Sequence, residues 1–269
     1  PEIRVRIAAG TSQREFSGPA RFIARPSGGG NHSVNPTIVN SPVSVTSGSS
    51  GIVLKGASGD AAFPAGVDVD LVPAEDDVGG GLKPAGESLM VGKTRYPGFA
   101  TIRPEWTSRP GAFDLIITMP VESYLPGVLT HELLKDWPRQ TYEAQAVAAR
   151  TYALHERARA RAENRTYDVE DTTNDQVYGG TTAAITPNEA VRATRGQVLT
   201  YEGGLIRAYF SSTCGGRPSS AAKVWRTDLG LAPSHPPELD ADPAAAVAEL
   251  KRMKGNPSGA GPATIKGKW

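Results

Sequence analysis

Glu132 stands out for its chemistry, because it is a carboxylate on an otherwise apolar helical stripe. Between residues 121 and 133, apolar side chains follow the three- and four-residue spacing of a helix with one buried face. That spacing predicts an apolar residue at 132, where the chain has glutamate. A buried carboxyl group is either paired or protonated near neutral pH, and general acid catalysis needs a protonated carboxyl group in a cleft. Alternatively, the helix ends near Glu132 and the carboxylate forms an ion pair with a neighbouring lysine or arginine.

Two helices are predicted around this carboxylate. Ser123 is a favourable N-cap for the first helix and would place Pro126 in its first turn, where a missing N–H is tolerated. Dense alanines predict a second helix over residues 140–161. Arg150 lies beside the predicted buried face of this second helix. A guanidinium among small apolar residues usually binds a carboxylate, a carbonyl group or a ligand. The equal alternative is an arginine that extends its charged group to water.

A polar, turn-forming segment follows, from Asp171 to Tyr178. Its amides, hydroxyls and tyrosine suit an array of sugar hydroxyl groups, and such loops are commonly binding surfaces. Asp171 is the best candidate for a second carboxylate in a site. The favoured alternative is that Asp171 holds Arg150 or caps a turn.

A capping box at Thr186 to Glu189 predicts a short helix that ends at Gly196. A hairpin of residues 197–201 and 205–210 is predicted next, and it leads into a run of hydroxyls and glycines from Ser211 to Gly216. This run is typical of a site wall, but it is equally typical of an ordinary turn.

Cys214 is the only cysteine, so the chain has no internal disulfide and no cysteine-rich zinc site. As a nucleophile it would need a nearby base, and the sequence places none of the four histidines beside it. A buried, inert role for Cys214 is therefore favoured. The pair His131-Glu132 does not continue as a zinc-binding His-Glu-x-x-His motif, since residue 135 is lysine. We predict no metal and no cofactor.

Composition excludes several classes of function. The 29 Lys and Arg residues balance 28 Asp and Glu residues, so no basic excess indicates a nucleic-acid partner. No apolar run reaches the roughly 18 residues of a transmembrane helix. Because the chain begins with Pro1, an upstream signal or anchor that has been removed is compatible with the sequence.

The order of predicted elements indicates an α+β fold. Short strand-like runs separated by turn signals occupy residues 1–118, and helical periodicity begins only near residue 121. We therefore predict a strand-rich N-terminal part followed by a helical and hairpin catalytic region. The expected divisions are a strand-rich region at 1–118, a core with the site motifs at 119–230 and a Pro- and Ala-rich tail at 231–269.

Five motifs in order over about residues 115–228 resemble the stage II sporulation protein D family and its amidase-enhancer relatives. They are Val121-Glu-Ser-Tyr-Leu-Pro-Gly-Val-Leu-Thr-His-Glu132, Glu143-Ala-Gln-Ala-Val-Ala-Ala-Arg-Thr-Tyr-Ala153, Asp171-Thr-Thr-Asn-Asp-Gln-Val-Tyr178, Ala193-Thr-Arg-Gly-Gln-Val-Leu-Thr-Tyr201, and Ser211-Ser-Thr-Cys-Gly-Gly-Arg217 with Val224-Trp225. The Ala-Gln-Ala-Val-Ala-Ala-Arg-Thr-Tyr run is the most specific of them. The region 1–118 is compatible with the family but much less diagnostic.

The resemblance implies a peptidoglycan lytic transglycosylase that acts outside the cytoplasmic membrane, in the periplasm or cell wall or as a secreted protein. The family's catalytic acid falls on Glu132, and Asp171 lies in the same polar loop as two of the implied contacts. Residues that match the family's substrate-binding motifs are Gln145, Arg150, Tyr152, Gln176, Tyr178, Ser211, Ser212, Gly215 and Gly216. The implied partners are peptidoglycan glycan strands and, for an amidase-enhancer relative, a wall amidase.

Three departures from the family pattern bear on these expectations. Some members have histidine at the position of Ser211. Some carry cysteines and zinc around the polar loop, where this chain has Asn174 and Asp175, so no zinc site is expected. The tail after Leu231 differs from the usual family ending.

A lytic transglycosylase needs only one carboxyl group, because the 6-hydroxyl of the muramic acid itself closes on C1 and forms a 1,6-anhydro sugar. Ordinary glycosidases use two carboxylates. Two alternatives to this activity remain on the same scaffold: a glycan-binding amidase activator without catalysis, and a muramidase that uses water.

Overall fold

The computed structural model describes residues 1–27, 35–76, 82–84, 88–105, 111–201 and 203–211. The predicted glycine-rich loops at 28–30 and 79–81, Cys214 and the tail lie outside these residues. Strands fill the N-terminal half and three helices follow within the described part of the chain, so the predicted α+β class is confirmed.

An eight-stranded sheet carries the site. Its strands run in the order β14-β1-β13-β12-β8-β3-β4, and β9 pairs with β8 outside this path. Their bounds are β1 Glu2–Thr11, β3 Arg21–Pro26, β4 Thr37–Asn40, β8 Val69–Asp76, β9 Leu82–Pro84, β12 Phe99–Glu105, β13 Ala112–Pro120 and β14 Val169–Glu170. The pairing of β12 with β13 agrees with the strand-like runs that the sequence predicts in this part of the chain.

A second sheet has six strands in the order β11-β10-β2-β5-β6-β7. Their bounds are β2 Gln13–Ser17, β5 Val43–Gly48, β6 Gly51–Lys55, β7 Asp60–Pro64, β10 Leu89–Val91 and β11 Thr94–Tyr96. One cluster of buried apolar side chains joins both sheets and the helices; for example, it contains Val5 from β1, Val45 from β5 and Leu125 from the first helix. Because this core is continuous, the sheets and helices support one another.

The helices are α1 Val121–Glu132, α2 Arg139–Ala162 and α3 Ile185–Ala193. The second matches the predicted helix closely. The first begins two residues before Ser123 and has no side-chain cap, so the predicted N-cap is wrong and Pro126 lies inside the helix. The loss is small, because Val121 donates its N–H to the carbonyl of Pro1 instead.

The predicted capping box of α3 is also wrong. The helix begins at Ile185 without a side-chain cap, and Asn188 Nδ2 donates to the carbonyl groups of Thr182 and Ala184 at 3.1 and 2.7 Å. The predicted hairpin is present but short, as β15 Thr200–Tyr201 and β16 Gly204–Leu205. Gly196 has a φ of +74°, which suits a glycine that follows a helix.

The N-terminal strand connects the strand-rich and helical parts of the chain. β1 pairs antiparallel with β13 and parallel with β14, which directly precedes the polar segment. The sheet therefore crosses the expected division at residue 118, and that division stays a prediction. Within the described residues, no helix has the length and apolar character needed to span a membrane.

Candidate active site

Glu132 is the last residue of α1, and its carboxylate is held by the polar segment. Leu133 is extended, with φ −121° and ψ 149°, so the helix stops there. The Glu132 side chain is half-buried, and Oε1 accepts the N–H of Val177 at 2.9 Å. The helix thus ends where the alternative interpretation placed its end, but the partner of the carboxylate is a backbone amide. This bond fixes the orientation of the carboxyl group relative to the segment 171–178.

His131 lies next to the segment that follows. It is exposed, and its Nδ1 is 2.8 Å from the carbonyl oxygen of Gly127. A Cβ at Gly179 would collide with the imidazole ring, so a larger residue here would displace the exposed His131 side chain. The end of α1 is thereby packed against the chain on both sides of Tyr178.

Gln176 and Tyr178 anchor the polar segment to the core. Gln176 is fully buried; it accepts the Tyr124 hydroxyl and donates to the Ala149 carbonyl, both at 3.3 Å. Tyr178 is 3% exposed, and its ring centroid lies 4.8 Å from that of Tyr124. Burial raises the pKa of the Tyr178 hydroxyl, which donates to Met119 Sδ at 3.3 Å. Both residues face the protein interior, so their side chains support the segment rather than reach a ligand.

Tyr152 and Asp175 form a second anchor. The Tyr152 hydroxyl donates to Asp175 Oδ1, and the Glu170 N–H donates to Asp175 Oδ2, each at 2.9 Å. Burial raises the pKa of Tyr152, and the neighbouring Asp175 carboxylate raises it further. Asp175 thus closes the turn from 170 to 175 onto helix α2. Apart from the presence of an aspartate in a turn-forming segment, nothing in the sequence indicated this role.

Arg150 is completely buried and fully hydrogen-bonded. Its Nε and Nη2 donate to the two carboxylate oxygens of Glu122, at 3.0 and 2.9 Å. Its other N–H groups face the carbonyls of Ala146, Val191 and Gln197 and the hydroxyl of Thr194, at 3.2–3.4 Å. The predicted burial and the carboxylate partner are therefore observed. The guanidinium joins α1, α2 and the end of α3, not the polar segment, and it leaves no N–H for a substrate.

The role of Glu122 as the partner of Arg150 was not predicted from the sequence. It also accepts the N–H of Gly196 at 3.4 Å, so its carboxylate joins the start of α1 to the residue after α3. An acidic residue in the first turn of a helix was the available signal, but nothing in the spacing connected it with Arg150, 28 positions later.

Asp171 is half-buried, and burial raises its pKa. Its backbone N–H donates to the Arg6 carbonyl at 3.3 Å, and its carbonyl accepts the Tyr178 N–H at 3.1 Å. The idea that Asp171 holds Arg150 is wrong, since Glu122 has that place. The backbone bonds of Asp171 close a loop of the polar segment, in agreement with a turn-stabilising role.

Gln145 differs from the other predicted contacts, because its amide is not used by the fold. The side chain is half-buried, and Nε2 is shielded from solvent with no hydrogen-bond partner in the described part of the chain. A buried donor without an acceptor costs free energy unless a ligand or water satisfies it.

A buried charge cluster holds the segment that leads to Ser211. Glu156 is fully buried; its Oε1 lies 2.6 Å from Arg207 Nε, and its Oε2 lies 2.9 Å from Arg159 Nη2. The Arg207 guanidinium also stacks over Tyr209 and Tyr152, at 4.9 and 5.8 Å from their centroids. These contacts connect α2 to residues 205–211. This cluster was not predicted from the sequence, because a single acidic residue in a long helix with many charged residues forms no pattern.

Ser211 is exposed and is the last residue that the structure describes. Ser212, Gly215 and Gly216 lie outside the described residues, so their predicted roles stay predictions. Across the described ranges, no group of three or more His, Cys, Asp or Glu side chains is arranged to hold a metal ion.

Part of the chain is similar to a known protein family. Residues 110–201 match the family model described as SpoIID, stage II sporulation protein. The match confirms, over these residues, the resemblance found in the motifs.

Three bacterial proteins, from two species, match part of this chain. The chain is 42% identical over 106 residues to an uncharacterized protein of Brachyspira hyodysenteriae, and 39% identical over 105 residues to the amidase enhancer of Bacillus subtilis. It is 30% identical over 129 residues to stage II sporulation protein D of Bacillus subtilis. These matches cover 39%, 39% and 41% of this chain, but only 28%, 14% and 36% of the relatives' own lengths.

Proposed function

We propose that the chain is a peptidoglycan lytic transglycosylase that acts outside the cytoplasmic membrane, with Glu132 as its general acid and base. The observation that carries this proposal is the Glu132 carboxylate, which is half-buried at the end of α1 and oriented by the Val177 N–H at 2.9 Å. A catalytic carboxyl group must be held in one orientation to transfer a proton efficiently. The family match and a relative named for sporulation support a role at the cell wall.

The proposed reaction uses one carboxyl group twice. In its protonated form, Glu132 gives its proton to the glycosidic oxygen as the bond between that oxygen and C1 of the muramic acid breaks. The Glu132 carboxylate then takes the proton of the 6-hydroxyl as O6 bonds to C1. The products are a 1,6-anhydro end and a free 4-hydroxyl, and the carboxyl group regains its proton.

Gln145 is the predicted contact that the geometry favours most for the substrate. Its Nε2 is shielded and has no acceptor among the described residues, so a sugar hydroxyl or an acetamido oxygen would satisfy it. By contrast, we assign Arg150, Tyr152, Gln176 and Tyr178 to the support of the site, because their polar groups are engaged inside the protein.

A second candidate function is a glycan-binding amidase activator without catalysis. The 39% identity to a protein named amidase enhancer favours it, and a wall amidase would then be the partner. A hydrolytic muramidase would need a second carboxylate. Asp171 is the candidate for that role, and burial raises its pKa.

Analysis of the reaction products separates the three functions. Purified glycan strands, with and without stem peptides, are incubated with the protein and analysed by mass spectrometry. We expect 1,6-anhydro ends from the wild type and a loss of 10² to 10⁴ in rate for Glu132→Gln, about the usual contribution of a general acid. The matched control is Glu189→Gln on α3, whose carboxylate is 46% exposed.

Each other outcome contradicts the proposal in a different way. Reducing ends would indicate a muramidase. Binding of strands without cleavage would favour the amidase activator. Turnover of Glu132→Gln at the rate of the control would remove this residue from the mechanism.

A further inference from the structure

A groove of about 630 Å³ lies across the polar face of the eight-stranded sheet, a volume within the usual range of small-molecule sites. Its floor comes from β1, β13, β12 and β8 and the residues just before β8, and the turn after α2 forms one side. None of the residues proposed around Glu132 lines this groove.

The strand registers arrange the floor in cross-strand rows. Thr118 pairs with Arg4 on one side and with Phe99 on the other, which gives one row of three. Thr101 pairs with Ile116 and with Asp70 and gives the next row. Since side chains alternate between the two faces of a strand, the neighbours of these residues, such as Ile117 and Ile102, point into the core. The groove is thus built on the solvent side of a sheet whose other side is rigidly packed.

Phe99 is the aromatic residue in the lining of this mostly polar groove, and it is only half-buried. The turn before it fixes its place. Gly98 has a φ of +85°, and a Cβ there would collide with the carbonyl oxygen of Thr118. Only glycine therefore allows the chain to enter β12 so close to β13, with Phe99 opposite Thr118.

The polar groups of the groove are held in place by pairs. Arg103 Nη1 lies 2.8 Å from Asp68 Oδ2, and Thr101 Oγ1 donates to Asp70 Oδ1 at 2.8 Å. Arg4 donates through Nε and Nη2 to Asp168 Oδ1, at 3.0 and 2.6 Å. A guanidinium has five N–H donors and a carboxylate about four acceptor sites, so each pair keeps hydrogen-bonding capacity. Groups that are already fixed lose little entropy when a ligand binds.

The charges of the groove argue against a polyanion. Its lining contains four arginines and three carboxylates, and the Asp168 carboxylate pairs with two of those arginines. Because the positive and negative charges of the lining nearly cancel, the groove does not attract a strongly charged ligand. An aromatic floor with fixed donors and acceptors at its sides instead suits a pyranose ring, which has apolar C–H faces and a rim of hydroxyl groups.

We propose that this groove is a second glycan site, which binds a neutral glycan segment through Phe99 and the paired polar residues around it. The site is separate from Glu132, so it does not depend on the proposed catalytic activity. It would hold the protein on a glycan while another segment reaches the end of α1.

A titration of the full ¹⁵N-labelled chain with a soluble hexamer of β-1,4-linked N-acetylglucosamine tests this proposal. We expect amide shifts to change at residues 99–103 and 116–118, in the wild type and equally in Glu132→Gln. Phe99→Ala should weaken binding at these residues by about tenfold, the scale of one lost aromatic contact. Phe99→Leu retains an apolar side chain and a folded sheet, and it should weaken binding similarly. The control is Ile38→Ala, an exposed apolar residue of the same sheet outside the groove.

Three outcomes would overturn the proposal. One is a lack of shifts on this face at millimolar hexamer, and another is an affinity in Phe99→Leu equal to that of the wild type. The third is a response to polyglutamate that is stronger than the response to the hexamer, which would assign the groove to anionic ligands. Shifts confined to residues 171–178 would contradict this site while remaining compatible with the proposed function.

Discussion

Arg150 and Glu156 are both fully buried charges on helix α2, but they are stabilised in different ways. Arg150 has one bidentate carboxylate partner and three backbone carbonyl acceptors, each at a hydrogen-bond distance. Glu156 is surrounded by cations from several side chains, and its Oε2 has no aligned hydrogen bond among the described residues.

The two arrangements differ in how strongly each buried charge depends on any single partner. A planar guanidinium with fixed acceptors depends on every one of them, because a buried charge that loses a partner lowers the stability of the fold. A carboxylate with several long cationic neighbours retains attraction when one neighbour is lost. The first arrangement fixes the geometry of three helices. The second mainly neutralises the Glu156 carboxylate and attaches residues 205–211 to α2.

The largest effect is expected for Arg150→Ala. It leaves the Glu122 carboxylate half-enclosed without its cation and frees three carbonyl groups, so the free energy of unfolding should fall by about 3 kcal/mol. Urea unfolding measures this change. Arg192→Ala, which removes an exposed arginine, is the control and should change stability by no more than about 0.5 kcal/mol. A loss below about 1 kcal/mol for Arg150→Ala would contradict the dependence on fixed partners.

A smaller effect is expected when acid neutralises Glu156. Burial alone would raise the pKa of Glu156, but His155, Arg207 and Arg159 outweigh it, and the pKa is lowered. The folded carboxyl group therefore binds a proton less readily than the unfolded one. Its stabilisation is complete above pH 4.5, the ordinary pKa of glutamate, and is lost as the pH falls through the lower pKa of the folded protein.

Comparison with Glu156→Gln isolates this contribution. The free energy of unfolding of the wild type should decrease more steeply below pH 4.5 than that of the variant, because the amide does not titrate. Parallel curves for the two proteins would show that the cations do not stabilise the carboxylate.

The smallest effect is expected for Arg207→Ala. His155 and Arg159 remain beside Glu156, so the free energy of unfolding should fall by only about 1 kcal/mol. Residues 205–211 lose their connection to α2, and their amide hydrogens should exchange faster. If this variant is destabilised as much as Arg150→Ala, the two charge sites do not differ as described.

The sequence predicted those features that depend on local pattern. The 3.6-residue period located α1, dense alanines located α2, and strand-like runs between turn signals located the N-terminal strands. A buried, partnered Arg150 was one of two equal alternatives that its place beside a face of alanines left open. The same reasoning failed at the caps, because Val121 and Asn188 use carbonyl groups that only the folded chain brings near.

The partners of the buried charges were beyond sequence reasoning for a related reason. Glu122 and Arg150 are 28 positions apart, and Glu156 and Arg207 lie on different elements. No periodicity connects such residues. The resemblance identified Gln176 and Tyr178 as candidate site residues. It did not predict that their side chains face the interior, because a sequence motif contains no information on side-chain orientation.

The position of β1 between β13 and β14 determines when the chain can fold. Val5 pairs with Ile117 and with Val169, so the first strand joins partners made more than a hundred residues later. At the usual 5–20 residues per second, about 10 to 30 s pass during synthesis before the second partner exists. Contacts of such long sequence separation also slow folding itself. The apolar side of β1 thus stays exposed longest, and a chain stopped before residue 169 would present an unpaired strand edge that is prone to aggregation.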